Sequence, residues 1–551
     1  MRSVQSRFVG GPPGRIPHGS GSFSSAPSTK IHSHPLRSGI IIPLLLFSLA
    51  ATSLGGGRLT PAEVSPESRG MLITSENSAS LLSGGRTNLL RFRMSDAEDV
   101  FRELSSKPDG EAAAWYHLGL ASMLKLLMTD RQPYYEEFYG RSDTLAGILD
   151  SLPDSRWKLF LDAESKLHRA LVRAKDGSYL RAAFAGRGAY RTYSRLVAEY
   201  PDFYDAYKGL GLLRIAVGSM PSFYRTFLSV LGIHGTIREG LRNLNAAADS
   251  SLYGREESVI LLRLYDILLG TDHGTGGRLE SLYRTYPDSP FLAHLYGFSL
   301  YSERRAAAAE EVLRPASGKF GEPDYFFVDY VDFFLADALF RQDRFQESVF
   351  YYQRYLDNHE GAALKATASL KMGQALEMIG HRLAARSFYA DVKATREFDS
   401  DQVARRTAER LLAAPMSETD RSLLRGRNAF DSRRHETALA ILRPILVDLT
   451  VGVDRRAEAA YRVGRTYHEM DRQDEALSAY REAIVLTQNP ELRWAPWSEY
   501  HAGRIFEARG DTAAAQAAYL RAAAYRGDFD YHQALEKNVK VSLDRLSDAS
   551  S

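Results

Sequence analysis

The chain has 551 residues, 44% hydrophobic and 25% charged, which excludes a wholly disordered, collagen-like or coiled-coil chain and favours several domains or an array of repeats. Cysteine is absent, which excludes disulfides, thiolate metal sites and cysteine nucleophiles. The formal net charge is +2. Five of the 70 basic residues but none of the 68 acidic residues lie in 1–54, so the rest of the chain has no excess of basic residues. We therefore expect no nucleic-acid partner.

Residues 1–54 predict an export leader. The first 38 residues are rich in Ser, Gly, Pro and His without hydrophobic periodicity, so we expect disorder there. Arg37 precedes the apolar run Gly39–Ala51, which suits the hydrophobic region of a secretory signal better than a spanning helix of about 20 residues. Small residues follow the run, where a signal peptidase could cut. We therefore predict an exported protein, periplasmic or envelope-associated, with a linker over 55–90.

The fate of this leader stays open at the level of sequence. The polar region before the apolar run is longer than in ordinary signals. Either the true start lies downstream, or residues 39–51 persist as an anchor that associates the protein with a membrane. No cysteine follows the run, which excludes a bacterial lipoprotein.

Residues 91–350 form a degenerate N-terminal region of amphipathic helical stretches. The triplet Tyr-Pro-Asp occurs at 200–202 and 286–288, and each copy predicts the end of a helical hairpin, because Pro stops one helix and Asp can cap the next. Gly211 opens a further unit whose small second-helix residue is Gly240, so an insertion at 218–235 separates the two helices. We expect this insertion to fold back onto the solenoid, or else to contact a membrane interface or line a ligand site.

The insertion resembles a motif of the inclusion body clearance family of tetratricopeptide proteins. In that family a hairpin is likewise interrupted by a segment rich in Leu-Pro and Phe-Gly, followed by a Gly-Leu helix, here Gly240-Leu241. The resemblance covers residues 180–350. It implies an interaction protein associated with membranes or lipid stores, with no catalytic residues to carry over.

Residues 351–546 contain the most regular units. In one of them Gly464, Tyr467, Ala476, Tyr480 and Ala483 stand at offsets 0, +3, +12, +16 and +19. Six units share this spacing, and their offset-zero residues are Gly297, Ala336, Gly373, Gly426, Gly464 and Gly503. The spacing resembles the tetratricopeptide repeat and implies an all-α superhelix of helical hairpins, in which small residues mark helix contacts and large residues fill the wedge between hairpins.

The regular spacing is interrupted once. The gap between Gly373 and Gly426 is 53 residues, against 37–39 elsewhere, so it predicts an additional helix near Ala404–Leu412. In total we expect at least nine hairpins between about 95 and 540.

Signals for chemistry are scarce. The loop Thr271–Gly277 is Gly-rich but lacks the Lys-Ser/Thr ending and the preceding strand of a phosphate-binding loop. The 14 histidines show no ligand spacing along a helix. We therefore predict a protein that is not an enzyme and that needs neither a metal nor a cofactor.

The sequence favours an interaction scaffold of an exported compartment, whose concave groove binds a peptide or a partner protein. The residue after the offset-zero glycine faces the groove in tetratricopeptide proteins, and in three successive units it is Arg427, Arg465 and Arg504. Tyr461 and Tyr500 stand three positions before two of these glycines. Arginine forks with tyrosine rings suit an acidic or C-terminal peptide, although a solvated, salt-bridged helix face gives the same pattern.

A carrier of lipid or another hydrophobic ligand is the alternative function. It would use the aromatic-rich middle of the chain, which contains Phe326, Phe327, Tyr330, Phe333, Phe334, Phe350, Tyr351 and Tyr352. A closed apolar cavity would favour the carrier, and a polar groove would favour the scaffold.

Overall fold

The computed structural model describes residues 70–129, 131–220, 225–226, 228–229, 232–269, 274–392 and 399–550. The predicted leader 1–54, with its signal and cleavage site, lies outside these ranges. All regular secondary structure within them is helical. None of the helices described there has the length and hydropathy that a membrane span requires.

The described ranges contain 24 helices. The first twelve are α1 (Glu76–Leu90), α2 (Met94–Ser105), α3 (Glu111–Thr129), α4 (Gln132–Ser151), α5 (Arg156–Lys175), α6 (Tyr179–Glu199), α7 (Asp205–Gly218), α8 (Ile237–Ser250), α9 (Arg255–Leu269), α10 (Thr275–Thr285), α11 (Pro290–Ser302) and α12 (Ala306–Ser317). The other twelve are α13 (Tyr330–Arg341), α14 (Phe345–Asn358), α15 (Lys365–Met378), α16 (Arg382–Asp391), α17 (Asp399–Ala413), α18 (Glu418–Phe430), α19 (His435–Val447), α20 (Val453–Glu469), α21 (Gln473–Leu486), α22 (Trp494–Ala508), α23 (Thr512–Ala524) and α24 (His532–Ser550).

These helices form a solenoid. Eleven pairs of consecutive helices pack as hairpins, from α1 with α2 to α22 with α23. Each hairpin stacks on the next, except that α17 follows the hairpin α15–α16 and α18 packs on α13. Two helices stand outside the pairs: α17, which packs on α15 and α16, and the terminal α24, which packs on α23. The additional helix predicted near Ala404–Leu412 is therefore confirmed as α17. A hairpin alone cannot bury its apolar face, so stacking supplies most of the stability.

The offset-zero glycine is explained by the large residue 16 positions later. A Cβ atom at Gly464 would lie 2.6 Å from the ring of Tyr480, and one at Gly426 would lie 2.5 Å from Leu442. The same contact occurs at Gly297, Gly373 and Gly503. The large side chain thus packs across its own hairpin, and in these five units the glycine leaves room for it.

The hairpin turns repeat as exactly as the helices. Seven hairpins place the residue at offset +7 in the left-handed region, and these residues are Phe92, Arg304, Asp343, Gly380, Arg433, Asp471 and Gly510. The next N–H then donates to the carbonyl oxygen at offset +3, as from Arg472 to Tyr467 at 2.9 Å. This bond satisfies a carbonyl that the helix end leaves free. Five of the seven turns lack glycine at this position, so no glycine pattern in the sequence marks the geometry.

The prediction of a linker over 55–90 is wrong for its C-terminal part. Residues 76–90 form α1, and Gly85 lies under Phe101 at the same 16-residue spacing, with a Cβ-to-ring distance that would be 2.4 Å. Ala97 and Leu104 complete the unit and are fully buried. The repeat therefore begins one hairpin earlier than the sequence analysis placed it.

The turn of the first hairpin packs against residues far along the chain. Phe92 stacks on Phe291 with ring centroids 4.8 Å apart, and its carbonyl oxygen accepts from the N–H of Phe326 at 2.9 Å. The Ser289 hydroxyl donates to the Leu90 carbonyl oxygen at 2.6 Å. The first hairpin thus packs on α11 and on the loop before α13, and one apolar core runs from Met71 to Leu424.

The insertion at 218–235 folds back where it is described. Leu228 and Ile233 are buried with Val217, against Tyr190 and Met220, in a small cluster separate from the main core. Phe223, Phe227, Val230 and Leu231 of the insertion lie outside the described residues. Beyond it, the predicted small pair meets directly: a Cβ on Gly240 would lie 2.5 Å from the Gly211 carbonyl oxygen, so α7 and α8 touch backbone to backbone.

The aromatic middle of the chain is packed. Tyr330, Phe333, Phe334 and Tyr352 are each at most 7% exposed, and their rings contact one another and neighbouring helices. Phe350 is 58% exposed. The four buried rings therefore serve as contacts between helices.

A second apolar core begins in the C-terminal hairpins. It runs from Leu423 to Ile505, and polar contacts join α18 and its turn to α13 and its turn. The Asn428 amide donates to the Phe340 carbonyl oxygen at 2.8 Å, and Arg434 pairs with Asp343 at 3.2 Å. The boundary between the two cores, here called the seam, thus contains a hydrogen bond and an ion pair beside Leu424 of α18, which packs with the first core.

Candidate functional site

Three of the five predicted groove residues meet in one place. Arg427 on α18 and Tyr461 and Arg465 on α20 line a common cavity, which we call the arginine cavity. Arg504 on α22 is exposed and does not line it. Tyr500 is half-buried between Trp497 and Tyr519, with ring centroids 5.7 Å from each.

The arginine cavity lies beside the seam and has a volume of about 310 Å³. It is formed by first helices α18, α20 and α22, by the turn between α11 and α12, and by the start of α24. Its lining residues are Arg304, Arg427, Phe430, Asp431, Tyr461, Arg462, Arg465, Arg493, Trp497, Tyr531 and Ala534. First helices of neighbouring hairpins pack side by side, which brings their side chains together here.

Some of the lining arginines are neutralised within the molecule. Arg462 pairs with Glu458 at 2.5 Å, and Arg304 pairs with Glu469 at 2.8 Å. Arg465 lies 3.8 Å from the same Glu469 and donates to the Tyr461 hydroxyl at 3.3 Å. Arg465 thus has an acidic neighbour within the molecule, as the alternative of a salt-bridged helix face expects.

Two of the lining arginines have no such ion pair with another described residue. Neither Arg427 nor Arg493 has a side-chain hydrogen bond or an ion pair with another described residue, and both are half-buried. Arg493 lies over the rings of Trp494 and Tyr531, 4.8 and 4.9 Å from their centroids. Burial and the nearby Arg462 lower the pKa of Arg427, against the effect of Asp431 and Glu458. Burial also acts to lower the pKa of Arg493, but Tyr531, Tyr461 and Asp530 raise it overall.

The histidines near the cavity add no charge at neutral pH. Burial, helped by Arg504 and Arg465, lowers the pKa of His468 to about 4. Burial, with Arg465 and Arg504, also lowers the pKa of His501 well below its usual range. The positive potential here comes from arginine and does not vary over physiological pH.

Residues distant in sequence complete the cavity. Arg304 comes from a hairpin far upstream, its guanidinium lies 4.3 Å from the ring centroid of Phe430, and no local pattern marks it. Arg493, Trp497 and Tyr531 lie outside the offsets that define the repeat, so the sequence analysis missed them. An arginine followed by two tryptophans at the start of α22 was the one signal that could have drawn attention.

A second cluster of ionisable groups is buried in the N-terminal half. Glu164 accepts from the Tyr116 hydroxyl at 2.8 Å, from the Tyr193 hydroxyl at 2.5 Å and from Lys208 at 2.8 Å. Glu257 lies 3.5 Å from Lys208, which is closer to Glu164. Lys208 thus compensates mainly the charge of Glu164. Burial raises the pKa of Glu257 to about 8, although the positive charges of Lys208 and Arg86 oppose this shift. The cluster links helices α3, α5, α6, α7 and α9.

In the described part of the chain, no group of three or more His, Asp or Glu side chains is placed to hold a metal ion.

Comparisons with known proteins agree on the repeat. The tetratricopeptide-repeat family model matches residues 457–490, most of α20 and α21. Since other hairpins share the spacing and contacts of this unit, the molecule is an all-α solenoid of tetratricopeptide type. No curated protein matches the chain. The resemblance to the inclusion body clearance family stays a prediction.

Solved structures with a similar arrangement of helices differ widely in sequence. The human IFIT1 dimer with PPP-AAAA is 12% identical, with a TM-score of 0.32, and the match covers 82% of this chain and 95% of that one. The Cut9–Hcn1 hetero-tetramer of APC/C is 13% identical, with a TM-score of 0.23, over 84% and 96%. TM-scores this low carry no information about what this chain binds.

Proposed function

We propose that this protein is a non-enzymatic interaction scaffold of an exported compartment that binds a segment of a partner protein across the groove face of its C-terminal first helices. The arginine cavity is the observation that supports this proposal. Its charged and aromatic lining suits a polypeptide segment, and it is built where neighbouring first helices adjoin. Repeat solenoids commonly use such extended faces for binding.

The hydrophobic-carrier alternative has less support. Four of the aromatic residues on which it depends fill the space between helices, and none of the eight lines the arginine cavity. A polar lining is the feature that favours a scaffold over a carrier.

Site-directed cross-linking in the native envelope tests the scaffold. A photoreactive amino acid placed at exposed Arg504, beside the cavity, should give a reproducible adduct with one partner protein. The same amino acid at exposed Arg443, on the second helix α19, is the matched control and should give none. Equal adducts from both positions, or none from either, would refute binding at the first-helix face.

The exported location is tested separately. The pattern of Arg37 followed by the apolar run Gly39–Ala51 supports removal of the leader or retention at the membrane. N-terminal sequencing of native protein should give a start near residue 53, or the intact chain should fractionate with membranes. A chain that begins at Met1 in a soluble cytoplasmic fraction would contradict export.

A further inference from the structure

The helix α6 is longer than the repeat requires. In the regular hairpins the second helix begins three residues before its small residue, as α21 does at Gln473 before Ala476. The small residue of α6 is the fully buried Ala189, and α6 begins ten residues before it, at Tyr179. Residues 179–185, here called the α6 extension, therefore add seven residues, about 10 Å of helix, at the edge of the solenoid where the hairpin turns lie.

The α6 extension carries exposed apolar side chains. Tyr179, Leu180 and Phe184 are 54%, 69% and 61% exposed, and no residue of the extension is buried. Leu180 and Phe184 stand four positions apart, so they share one face of the helix. Large apolar side chains that are exposed side by side mark an interaction surface, because they cost hydration and add nothing to the core.

Positive charge is concentrated around the α6 extension. Residues 166–242 contain 13 basic and 5 acidic residues, a net charge of +8. The rest of the chain after residue 54 contains 52 basic and 63 acidic residues, a net charge of −11. Five exposed arginines of this region form no ion pair and no side-chain hydrogen bond with another described residue, namely Arg181, Arg191, Arg225, Arg238 and Arg242.

The insertion at 218–235 brings some of these arginines beside α6. It connects α7 to α8, so it lies at the same edge of the solenoid as the turn between α5 and α6. Leu228 and Ile233 of the insertion pack against Tyr190 of α6. Arg225 in the insertion and Arg238 in the first turn of α8 therefore lie close to α6, which already carries its own exposed arginines.

Acidic residues at this edge offset little of the charge. Asp176 lies in the turn before α6 and accepts from the Ser178 hydroxyl at 3.4 Å. Glu239 is engaged at the start of α8, where its carboxylate accepts from the N–H and the hydroxyl of Thr236, both at 3.0 Å. The edge thus combines apolar side chains with an excess of guanidinium groups.

We propose that the α6 extension and the arginines beside it bind the surface of an anionic lipid bilayer. Tyr179, Leu180 and Phe184 enter the boundary between headgroups and acyl chains, and the arginines pair with the headgroup phosphates. A protein partner fits this edge less well, because a specific protein interface takes about 20–30 residues on each side, whereas a bilayer adapts to a few projecting side chains. The surface is separate from the groove face and from the apolar run Gly39–Ala51, so the contact does not depend on the fate of the leader.

Fluorescence from a single labelled cysteine tests the contact in the full-length chain, which contains no cysteine of its own. Tyr179→Cys labelled with nitrobenzoxadiazole leaves Leu180 and Phe184 in place. Phosphatidylcholine vesicles that contain one quarter phosphatidylglycerol should raise its fluorescence about twofold or more, because the dye leaves water, and phosphatidylcholine alone should raise it much less. Leu449→Cys is the matched control, because Leu449 is 79% exposed and lies outside this surface, and it should not respond. No response at residue 179, an equal response at both positions or an equal response to neutral vesicles would overturn the proposal.

Variants of the labelled chain separate the apolar contribution from the charge. Leu180→Asp combined with Phe184→Asp should abolish the response to anionic vesicles. Arg181→Gln combined with Arg191→Gln should weaken the affinity for these vesicles about tenfold and reduce its dependence on salt. Val485→Asp, at a site 77% exposed on α21, should change neither, and circular dichroism should show that all variants fold. An undiminished response in either folded double variant would refute the surface, and a response to lipid-free envelope proteins without vesicles would assign it to a protein partner instead.

Discussion

The contact between Gly464 and Tyr480 makes a quantitative prediction about the repeat. A methyl group in Gly464→Ala would lie 2.6 and 2.7 Å from two ring carbons of Tyr480, about 1 Å inside ordinary contact. Tyr480 is fully buried and stacks on His501 with centroids 5.9 Å apart, so its ring cannot yield without moving a neighbour.

The magnitude follows from two opposing effects. Overpacking of this kind costs about 1–3 kcal/mol. Replacing a mid-helix glycine by alanine returns about 1 kcal/mol through helix propensity. We therefore expect Gly464→Ala to lower the stability of the α20–α21 hairpin by about 1 kcal/mol, and by no more than about 2 kcal/mol.

Hydrogen exchange read out by mass spectrometry measures this locally, which suits a solenoid that need not unfold in one step. Protection should fall in α18–α23 and stay unchanged in α1–α8. Gly147→Ala is the control, because Gly147 is an exposed glycine in α4 with no atom within 4 Å of the added methyl group. It should gain about 1 kcal/mol. Gly464→Ala at or above wild-type stability would refute the packing argument.

Three further outcomes are expected. Asp471→Gly should stabilise its hairpin by about 0.5–1 kcal/mol in urea unfolding, because Asp471 has φ of 56° and glycine adopts this region without strain; a loss would contradict the turn geometry. Glu257→Gln should become more stable relative to wild type as pH rises from 5 to 8, by on the order of 1 kcal/mol per pH unit. The reason is that folded wild type keeps a proton on Glu257, which the unfolded chain releases above about pH 4.5, so wild type loses stability over this range. A difference between the two urea unfolding curves that does not change with pH would exclude this. A double-mutant cycle of Arg304→Ala and Glu469→Ala should give a coupling of about 0.5–1 kcal/mol, since both side chains are partly exposed; no coupling would mean that this pair does not bridge the seam.

Much of the local structure could be predicted from the sequence. The offsets of Gly464, Ala476 and Tyr480 identified the hairpin because they reflect contacts within one unit, where sequence distance and spatial distance are fixed together. The long gap after Gly373 identified α17 for the same reason. The first hairpin was missed although Gly85 and Phe101 carry the spacing, because the surrounding residues resembled a linker.

The residues of the arginine cavity likewise fall into those that could be predicted from the sequence and those that could not. Arg427, Tyr461 and Arg465 could be found from the sequence because neighbouring first helices place equivalent positions side by side. Arg493 and Tyr531 could not, because they lie outside the offsets that define the repeat. Arg304 could not, because its approach depends on the accumulated rotation of the hairpins between it and α18. The closure of Phe92 on Phe291 has the same origin. The sequence by itself determined the repeating hairpin, through contacts that recur every unit. Only the tertiary structure decided which distant turns meet, because small rotations add over many units and no single unit encodes their sum.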